Sequence, residues 1–120
     1  MSHPIVGVWV VEVRYPDRPR VDRGTLLFDE AGSLSVAVAD YAAHAVWQAT
    51  SDRSVTITGA RPVGPNEGFV GWYTLQATAS VSDDSGSMQM PAQQSRPRPD
   101  GSLIQQQMMI TGTRLLVAPG

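Results

Sequence analysis

Apolar and polar residues alternate along short stretches of this chain, and clusters of turn-forming residues separate the stretches. In the first stretch Trp9, Val11 and Val13 fall on one face, whereas Glu12 and Arg14 fall on the other. Because successive side chains of a β-strand point to opposite faces, this alternation predicts a strand with one buried face. The same pattern predicts eight strands, at roughly residues 5–15, 23–29, 33–39, 44–50, 54–60, 68–80, 87–95 and 102–118.

The strand count and the composition together predict the fold class. The chain has no lysine and only three glutamates, so it offers few residues for helix surfaces. Eight antiparallel strands are enough to close a small up-and-down barrel, and a chain of 120 residues fits one domain. We therefore predict an all-β protein, a single eight-stranded antiparallel up-and-down β-barrel over residues 1–120.

The predicted connections alternate between tight and long. Residues 29–32, 51–53 and 83–86 have the composition of hairpin turns. The longer connections are predicted over residues 16–22, 40–43, 61–67 and 96–101. In an up-and-down barrel alternate connections emerge at the same end, so one end should be shut by tight turns. The other end should be an open mouth whose rim carries Arg18, Arg20, Arg23, Arg61, Arg96 and Arg98.

Two short motifs resemble those of a known family. Gly7-Val8-Trp9 lies on the first predicted strand, and Thr111-Gly112-Thr113-Arg114 lies on the last. This arrangement resembles the lipocalin/calycin pattern of a Gly-x-Trp on the first strand and a basic residue late in the last. The resemblance implies that Trp9 plugs the closed end of the barrel and that Arg114 packs across it.

The chain also departs from classical lipocalins, because it is shorter and lacks cysteine, a signal peptide and an obvious helix beside the barrel. These departures argue against a secreted transporter and favour a cytoplasmic location. Eight-stranded barrels of bacterial biosynthetic pathways, including spirotetronate-type cyclases, are similar in size and plan.

The composition excludes several kinds of chemistry. Without cysteine or lysine the chain cannot form disulfides, thiolate nucleophiles or a lysine Schiff base. Nucleotide-binding glycine motifs, a hydrolase elbow and a calcium loop are missing, so we expect no metal and no cofactor. A net charge of −2 gives no general attraction to nucleic acid, and no stretch is apolar enough for a membrane span. We therefore expect neither a nucleic-acid partner nor a membrane partner.

The lumen should be lined by aromatic and methionine side chains. Methionine is flexible and polarizable, so it suits a pocket for an irregular apolar ligand, although it also fills ordinary cores. We predict that a small apolar or amphipathic molecule contacts Tyr15, Tyr41, Phe69, Tyr73, Met88, Met90 and Met108.

Proton-transfer chemistry depends on few residues. His3 is expected in an N-terminal tail, which leaves His44 as the histidine nearest the predicted mouth. Asp40, Tyr41 and His44 could form an acid/base group, with Tyr73 as a further candidate catalytic residue. The same residues are also typical of an ordinary polar rim.

Three functions stay open at this point. The first is a binding protein for a small apolar or amphipathic molecule. The second is a cyclase or isomerase that acts mainly by holding a flexible substrate in a reactive shape. The third is a structural module in which Trp47 or Trp72 forms a homodimer interface.

Overall fold

A computed structural model describes residues 2–39, 41–63, 68 and 70–116, with the exception of the Tyr41 side chain. The strands are β1 (Gly7–Tyr15), β2 (Arg18–Phe28), β3 (Ser33–Val38), β4 (Tyr41–Ala49), β5 (Ser54–Val63), β6 (Gly71–Val81), β7 (Ser87–Pro97) and β8 (Leu103–Arg114). Each strand pairs antiparallel with the next, and β8 pairs with β1, so the sheet closes into a barrel. The predicted eight-stranded antiparallel barrel is confirmed.

Alternation along the strands builds the core. On β1 the side chains of Trp9, Val11 and Val13 are buried, and on β3 those of Leu34 and Val36 are buried. Burying a large apolar side chain contributes roughly 1.5–3 kcal/mol each, which makes the inner face the main source of stability. Other large and fully buried members are Ile5, Leu26, Phe28, Val55, Ile57 and Met90.

Several strand boundaries differ from the prediction. β2 begins at Arg18 rather than near residue 23, so only Pro16 and Asp17 connect it to β1. β4 begins at Tyr41, which leaves two residues between β3 and β4. The expected alternation of tight and long connections is therefore wrong. The physical reason is that strand pairing continues through residues that the hydrophobic pattern assigned to loops, both the charged start of β2 and residues 41–43 of β4.

The closed end is held together by the N-terminal segment. The Trp9 indole Nε1 donates a hydrogen bond to the Ile5 carbonyl at 2.8 Å. The Arg114 guanidinium lies 4.3 Å from the Trp9 ring centroid. It also donates to the carbonyls of Val6 and Ser85, both at 2.8 Å, and to that of Pro4. Arginine thus ties the start of the chain to the last strand and the 82–86 turn.

His3 belongs to this closed end rather than to a loose tail. The Ile5 amide donates to His3 Nδ1 at 3.1 Å, and His3 Nε2 lies 2.9 Å from the Ser51 carbonyl. The His3 ring also contacts the ring of Trp47, whose Nε1 donates to the Asp29 carbonyl at 3.0 Å.

The wall of the barrel is uneven at the other end, the mouth. β2 pairs with β3 only over residues 24–28, and β4 pairs with β5 only over 45–49, as far as the described residues extend. Residues 18–23 of β2 and 60–63 of β5 therefore rise above the short β3–β4 hairpin. We call this low part of the rim the notch. No helix in the described ranges is long and apolar enough to cross a membrane.

Candidate binding site in the lumen and at the mouth

The lumen between the closed end and the mouth is mostly apolar. Three polar side chains, Arg61, Tyr73 and Gln94, reach it from β5, β6 and β7. About 30 Å³ is left for the centres of water-sized molecules, which is space for about one water. The apolar lining comes from Val11, Val13, Leu26, Leu34, Val36, Val38, Ala43, Ala45, Gly59, Leu75, Met90, Met108 and Ile110.

Small residues form one wall of the lumen. Ala43 and Ala45 on β4 lie beside Gly59 on β5, and Ala45 pairs with Gly59 in the sheet. A Cβ at position 59 would lie 3.0 Å from the Ala45 Cβ, so this contact favours glycine. The longer side chains of Met90 and Met108 reach the lumen from β7 and β8. Because methionine is flexible, these side chains are the parts of the lining best able to move for a ligand.

Arg61 and Tyr73 form a pair on the inner face near the notch. They are directly opposite each other in the pairing of β5 with β6, and both are half-buried. The Arg61 guanidinium carbon lies 4.5 Å from the Tyr73 ring centroid, a cation–π arrangement. The pair therefore presents a positive charge and a phenol at the upper edge of an apolar lumen.

A buried carboxylate lies on the opposite wall. Asp22 is 8% exposed and is the only buried polar or charged residue in the described part of the chain. It accepts hydrogen bonds from the Tyr15 hydroxyl at 2.8 Å and from Arg20 Nε at 2.8 Å. The hydrogen bond from Arg20 is the largest of the interactions that hold the Asp22 pKa below its ordinary value of 3.8, and the Tyr15 hydroxyl adds to it.

The prediction of a long connection over residues 16–22 did not anticipate this carboxylate. The side of the strand on which Asp22 lies could have been predicted from its spacing to buried residues of β2. Asp22 follows the same even-numbered positions as Leu26 and Phe28, which are buried on β2. Alternation that continues from Phe28 back to Asp22 brings this carboxylate to the inner face, and the pairing register with β1 shifts only beyond it, toward Arg18.

Two glutamines connect the remaining strands to this site. Gln94 Nε2 lies 2.9 Å from Met108 Sδ and so joins β7 to β8 inside the lumen. Gln106 accepts a hydrogen bond from Arg18 and lies 3.3 Å from Asp17, which joins β8 to the start of β2. Arg18 also lies 5.1 Å from the Tyr15 ring centroid. The pairing of β1 with β8 ends at Arg14 and Met109. Closer to the mouth, the contacts of Gln106 with Arg18 and Asp17 hold β8 against the start of β2.

The predicted ligand contacts are only partly brought together. Tyr15, Tyr73, Met90 and Met108 lie on the inner face in the mouth half of the barrel. Met88 is buried nearer the closed end, where it pairs with Val81 and packs against position 112. Phe69 and the side chain of Tyr41 lie outside the described residues.

The structure describes one side chain of the predicted acid/base group, that of His44. His44 is exposed on the outer face of β4, opposite Ser35. Because β4 starts at Tyr41, position 44 has outward parity, whereas Ala43 and Ala45 point inward. Asp40 lies outside the described residues. Tyr73 and His44 both border the lumen, but the Tyr73 side chain shares the inner face with Arg61, whereas the His44 side chain has outward parity.

The tryptophans proposed for a dimer interface differ in exposure. Trp47 is half-buried and packs edge-on against Phe28, with 6.4 Å between ring centroids. Trp72 is 58% exposed on the outer face of β6 near the mouth. Trp47 therefore contributes to the closed end.

A wide concavity on the outer surface is distinct from the lumen, although Tyr15 and Met108 border it. It crosses β5 to β8, reaches the mouth end of β1 and is open to solvent, with polar side chains such as Thr56, Thr58, Gln76 and Gln93 along it. Pro91 lies there, opposite a gap in the pairing of β6 with β7, because proline has no amide hydrogen to donate. The lumen is the better candidate site, because it is enclosed and because the side chains of Arg61, Tyr73 and Gln94 meet at its upper edge. In the described ranges no three side chains of the histidine, aspartate and glutamate types come together as a metal site.

Comparisons with known proteins support the fold and add nothing on activity. No family model and no curated protein sequence matches the chain. Among solved structures, a redesigned β-barrel is similar, with a TM-score of 0.58 and 15% sequence identity over 97% of this chain and 98% of that chain. At such low identity the similarity shows a closed antiparallel barrel alone. The lipocalin/calycin resemblance is not confirmed as a family assignment.

Proposed function

We propose that the protein binds a small apolar or amphipathic molecule in the barrel lumen, with entry at the mouth. The observation that carries this proposal is the meeting of an enclosed apolar lining with Arg61, Tyr73 and Gln94 at its upper edge. Ligand pockets are commonly apolar enclosures with a few polar groups that fix orientation. The notch lies beside this region of the lumen.

The small free volume sets a condition on binding. A ligand larger than water has to displace lining side chains, and Met90 and Met108 are the flexible ones. Insertion would therefore change the surroundings of these two methyl groups first. Met109, which points to the outer surface and is partly exposed, should not respond.

The experiment is a methyl NMR titration of protein labelled at the methionine methyl groups. The ligands are octanol, octanoic acid, naphthol and naphthoic acid. Saturable shifts of Met90 and Met108 at one ligand per chain, with Met109 unchanged, would support the proposal. A direct tryptophan signal is unsuitable because Trp9 and Trp47 are at the closed end and Trp72 is on the outer face.

A pair of adjacent alanines supplies matched variants. Ala43 lines the lumen, whereas Ala42 is exposed on the outer face of the same strand. Ala43→Leu should fill the space and weaken binding about tenfold or more, because added side-chain volume meets a closely packed lining. Ala42→Leu should leave affinity within about twofold. Equal loss in both variants, or no saturable binding of any ligand, would count against binding in the lumen.

The cyclase or isomerase alternative would use the same lumen. Such an enzyme holds a flexible substrate near its reactive shape and needs few acid or base groups. Tyr73 is the candidate proton donor, because it pairs with Arg61 on the inner face, whereas the exposed His44 side chain follows the outward parity of β4. Turnover of a bound compound faster than in buffer, reduced by Tyr73→Phe with unchanged affinity, would favour the enzyme over the binding protein.

A further inference from the structure

The outer face of β5 to β8 carries no charged side chain. All four strands are fully described, and the charged residues that they contain have inward parity. These are Arg61, Arg96 and Arg114. The outward positions carry mainly threonine, serine and glutamine. On the other side of the barrel, by contrast, Glu12 forms exposed ion pairs with Arg14 and Arg23. Exposed sheet surfaces usually carry charges, so a face without them over four strands is unusual.

The wide concavity on this face is lined by a polar row and a more apolar row. The polar row places four exposed side chains directly opposite one another on neighbouring strands. It consists of Thr58, Gln76, Gln93 and Gln107. With about 4.8 Å between strands, the row extends over about 14 Å. The next row toward the closed end contains Pro91 and Met109, which pair with each other and are exposed. The concavity encloses about 850 Å³, a size typical of ligand sites.

The chemistry of these two rows matches a neutral molecule with many hydroxyl groups. A glutamine amide and a threonine hydroxyl each donate and accept hydrogen bonds, as sugar hydroxyls do. The C–H faces of a sugar ring can pack against proline and methionine. An apolar partner would leave the amides unpaired, and a nucleic acid would require arginine or lysine for its phosphates. Among the described residues that line the concavity, the charged one is Arg14 at the β1 edge, which is paired with Glu12.

The shape of the face argues against a second copy of this chain as the occupant. A two-fold dimer brings the same patch of both chains together. Two concave surfaces placed against each other would leave a gap at the centre of the interface. A thin, extended ligand fills such a concavity better than a protein domain with the same surface.

We propose that the concavity binds a neutral oligosaccharide that lies across β5 to β8. Gln76, Gln93 and Gln107 form hydrogen bonds with its hydroxyl groups, and Pro91 and Met109 contact a ring face. The Gln93 amide already donates to Gln105 Oε1 at 3.2 Å, which holds it on the outer surface. This site is separate from the proposed lumen site and does not depend on it.

The test is an NMR titration of protein labelled at the methionine methyl groups. The probes are cellohexaose, xylohexaose, maltohexaose, glucose and hexagalacturonic acid. We expect saturable binding of at least one neutral hexasaccharide at one per chain, with a shift of the Met109 methyl and none of the buried Met90 methyl. Glucose should bind at least tenfold more weakly, because one ring covers only part of the row. Hexagalacturonate should also bind at least tenfold more weakly, because its carboxylates meet no cation along the row.

Matched double variants test the location of the site. Gln76→Ala combined with Gln93→Ala removes two amides from the polar row and should weaken binding about tenfold. Gln48→Ala combined with Gln89→Ala removes two exposed glutamines of the outer surface that do not line the concavity. This control should leave the affinity within about twofold. Exposed substitutions of this kind should leave the fold intact, which circular dichroism checks.

Several outcomes would overturn the proposal. One is the absence of saturable binding for every neutral hexasaccharide, and another is binding of hexagalacturonate as tight as that of the neutral probes. Equal loss of affinity in both double variants would place the site elsewhere, as would a shift of Met90 without one of Met109. A Met109 signal that changes on dilution of the protein alone would show that a second copy covers this face. None of these results bears on binding in the lumen, which the apolar ligands test.

Discussion

The two ends of the barrel use the same strands in different ways. β1 carries Trp9 at the closed end and Tyr15 at the mouth, and β8 carries Arg114 at the closed end and Gln106 at the mouth. At the closed end the inward side chains are large, apolar and fully covered by the N-terminal segment. At the mouth several of them are charged or polar, and these are only partly covered except for Asp22.

This difference indicates that the closed end contributes more to stability than the mouth, where the proposed binding would take place. Apolar burial and the backbone contacts of Arg114 concentrate at the closed end, where nothing has to enter. The mouth keeps polar groups on its inner face, which a structure optimised for stability alone would replace by apolar ones. Substitutions should therefore cost most at the closed end, and should change binding more than folding at the mouth.

The largest expected effect is that of Trp9→Ala. Trp9 is 0% exposed and donates its indole hydrogen to the Ile5 carbonyl, so truncation leaves a cavity and an unpaired acceptor. We expect a loss of about 3–5 kcal/mol in the free energy of unfolding. The measurement is urea denaturation followed by circular dichroism. Trp72→Ala, at the 58% exposed position on the outer face near the mouth, is the matched control. A similar cost for both would remove the contrast between the ends.

Arg114→Met should have the next largest effect. The substitution keeps a long side chain over the Trp9 ring but removes the donors to the carbonyls of Val6, Ser85 and Pro4. We expect a loss of about 2–3 kcal/mol, because partly buried acceptors lose a charged donor. Arg14→Met removes an exposed ion pair to Glu12 and should cost less than about 0.5 kcal/mol. An equally small cost at position 114 would mean that its hydrogen bonds do not hold the closed end.

The alternation of apolar and polar residues predicted the barrel because it is clearest on the strands that contribute most to the apolar core. On β1 and β3 every second side chain is buried, and those strands were placed within about two residues. The order of pairing followed from eight antiparallel strands joined by short connections. These features depend on local pattern and on simple closure of the sheet.

The mouth was less accessible to the same reasoning. Residues 18–22 read as a charged loop, although Arg18, Val21 and Asp22 pair with β1 and the whole segment belongs to β2. The inner location of Asp22 depends on hydrogen bonds from Tyr15 and Arg20, which no hydrophobic pattern reveals. The outward direction of the His44 side chain likewise depends on the register of β4, because a shift of one residue would move every side chain of the strand to the opposite face.

The smallest expected effect tests the buried carboxylate at the mouth. Hydrogen bonds from Arg20 and Tyr15 lower the pKa of Asp22 below 3.8, so its charged form stabilises the folded state. That contribution is complete above pH 3.8 and is lost as the pH falls through the lowered pKa in the folded protein. Asp22→Asn should therefore cost about 1–2 kcal/mol near neutral pH, and this cost should shrink on acidification.

Urea denaturation of wild type and Asp22→Asn across the acid range measures this difference. Asp83→Asn is the control, since the Asp83 side chain is fully exposed and 3.9 Å from Arg53. Its cost should stay below about 0.5 kcal/mol. A cost of Asp22→Asn that does not change with pH would mean that the carboxylate charge adds nothing at the mouth. A cost that vanishes with acid would show that the charged form of Asp22, bound by Arg20 and Tyr15, contributes to the stability of the mouth. The apolar burial at the closed end does not depend on protonation in this way.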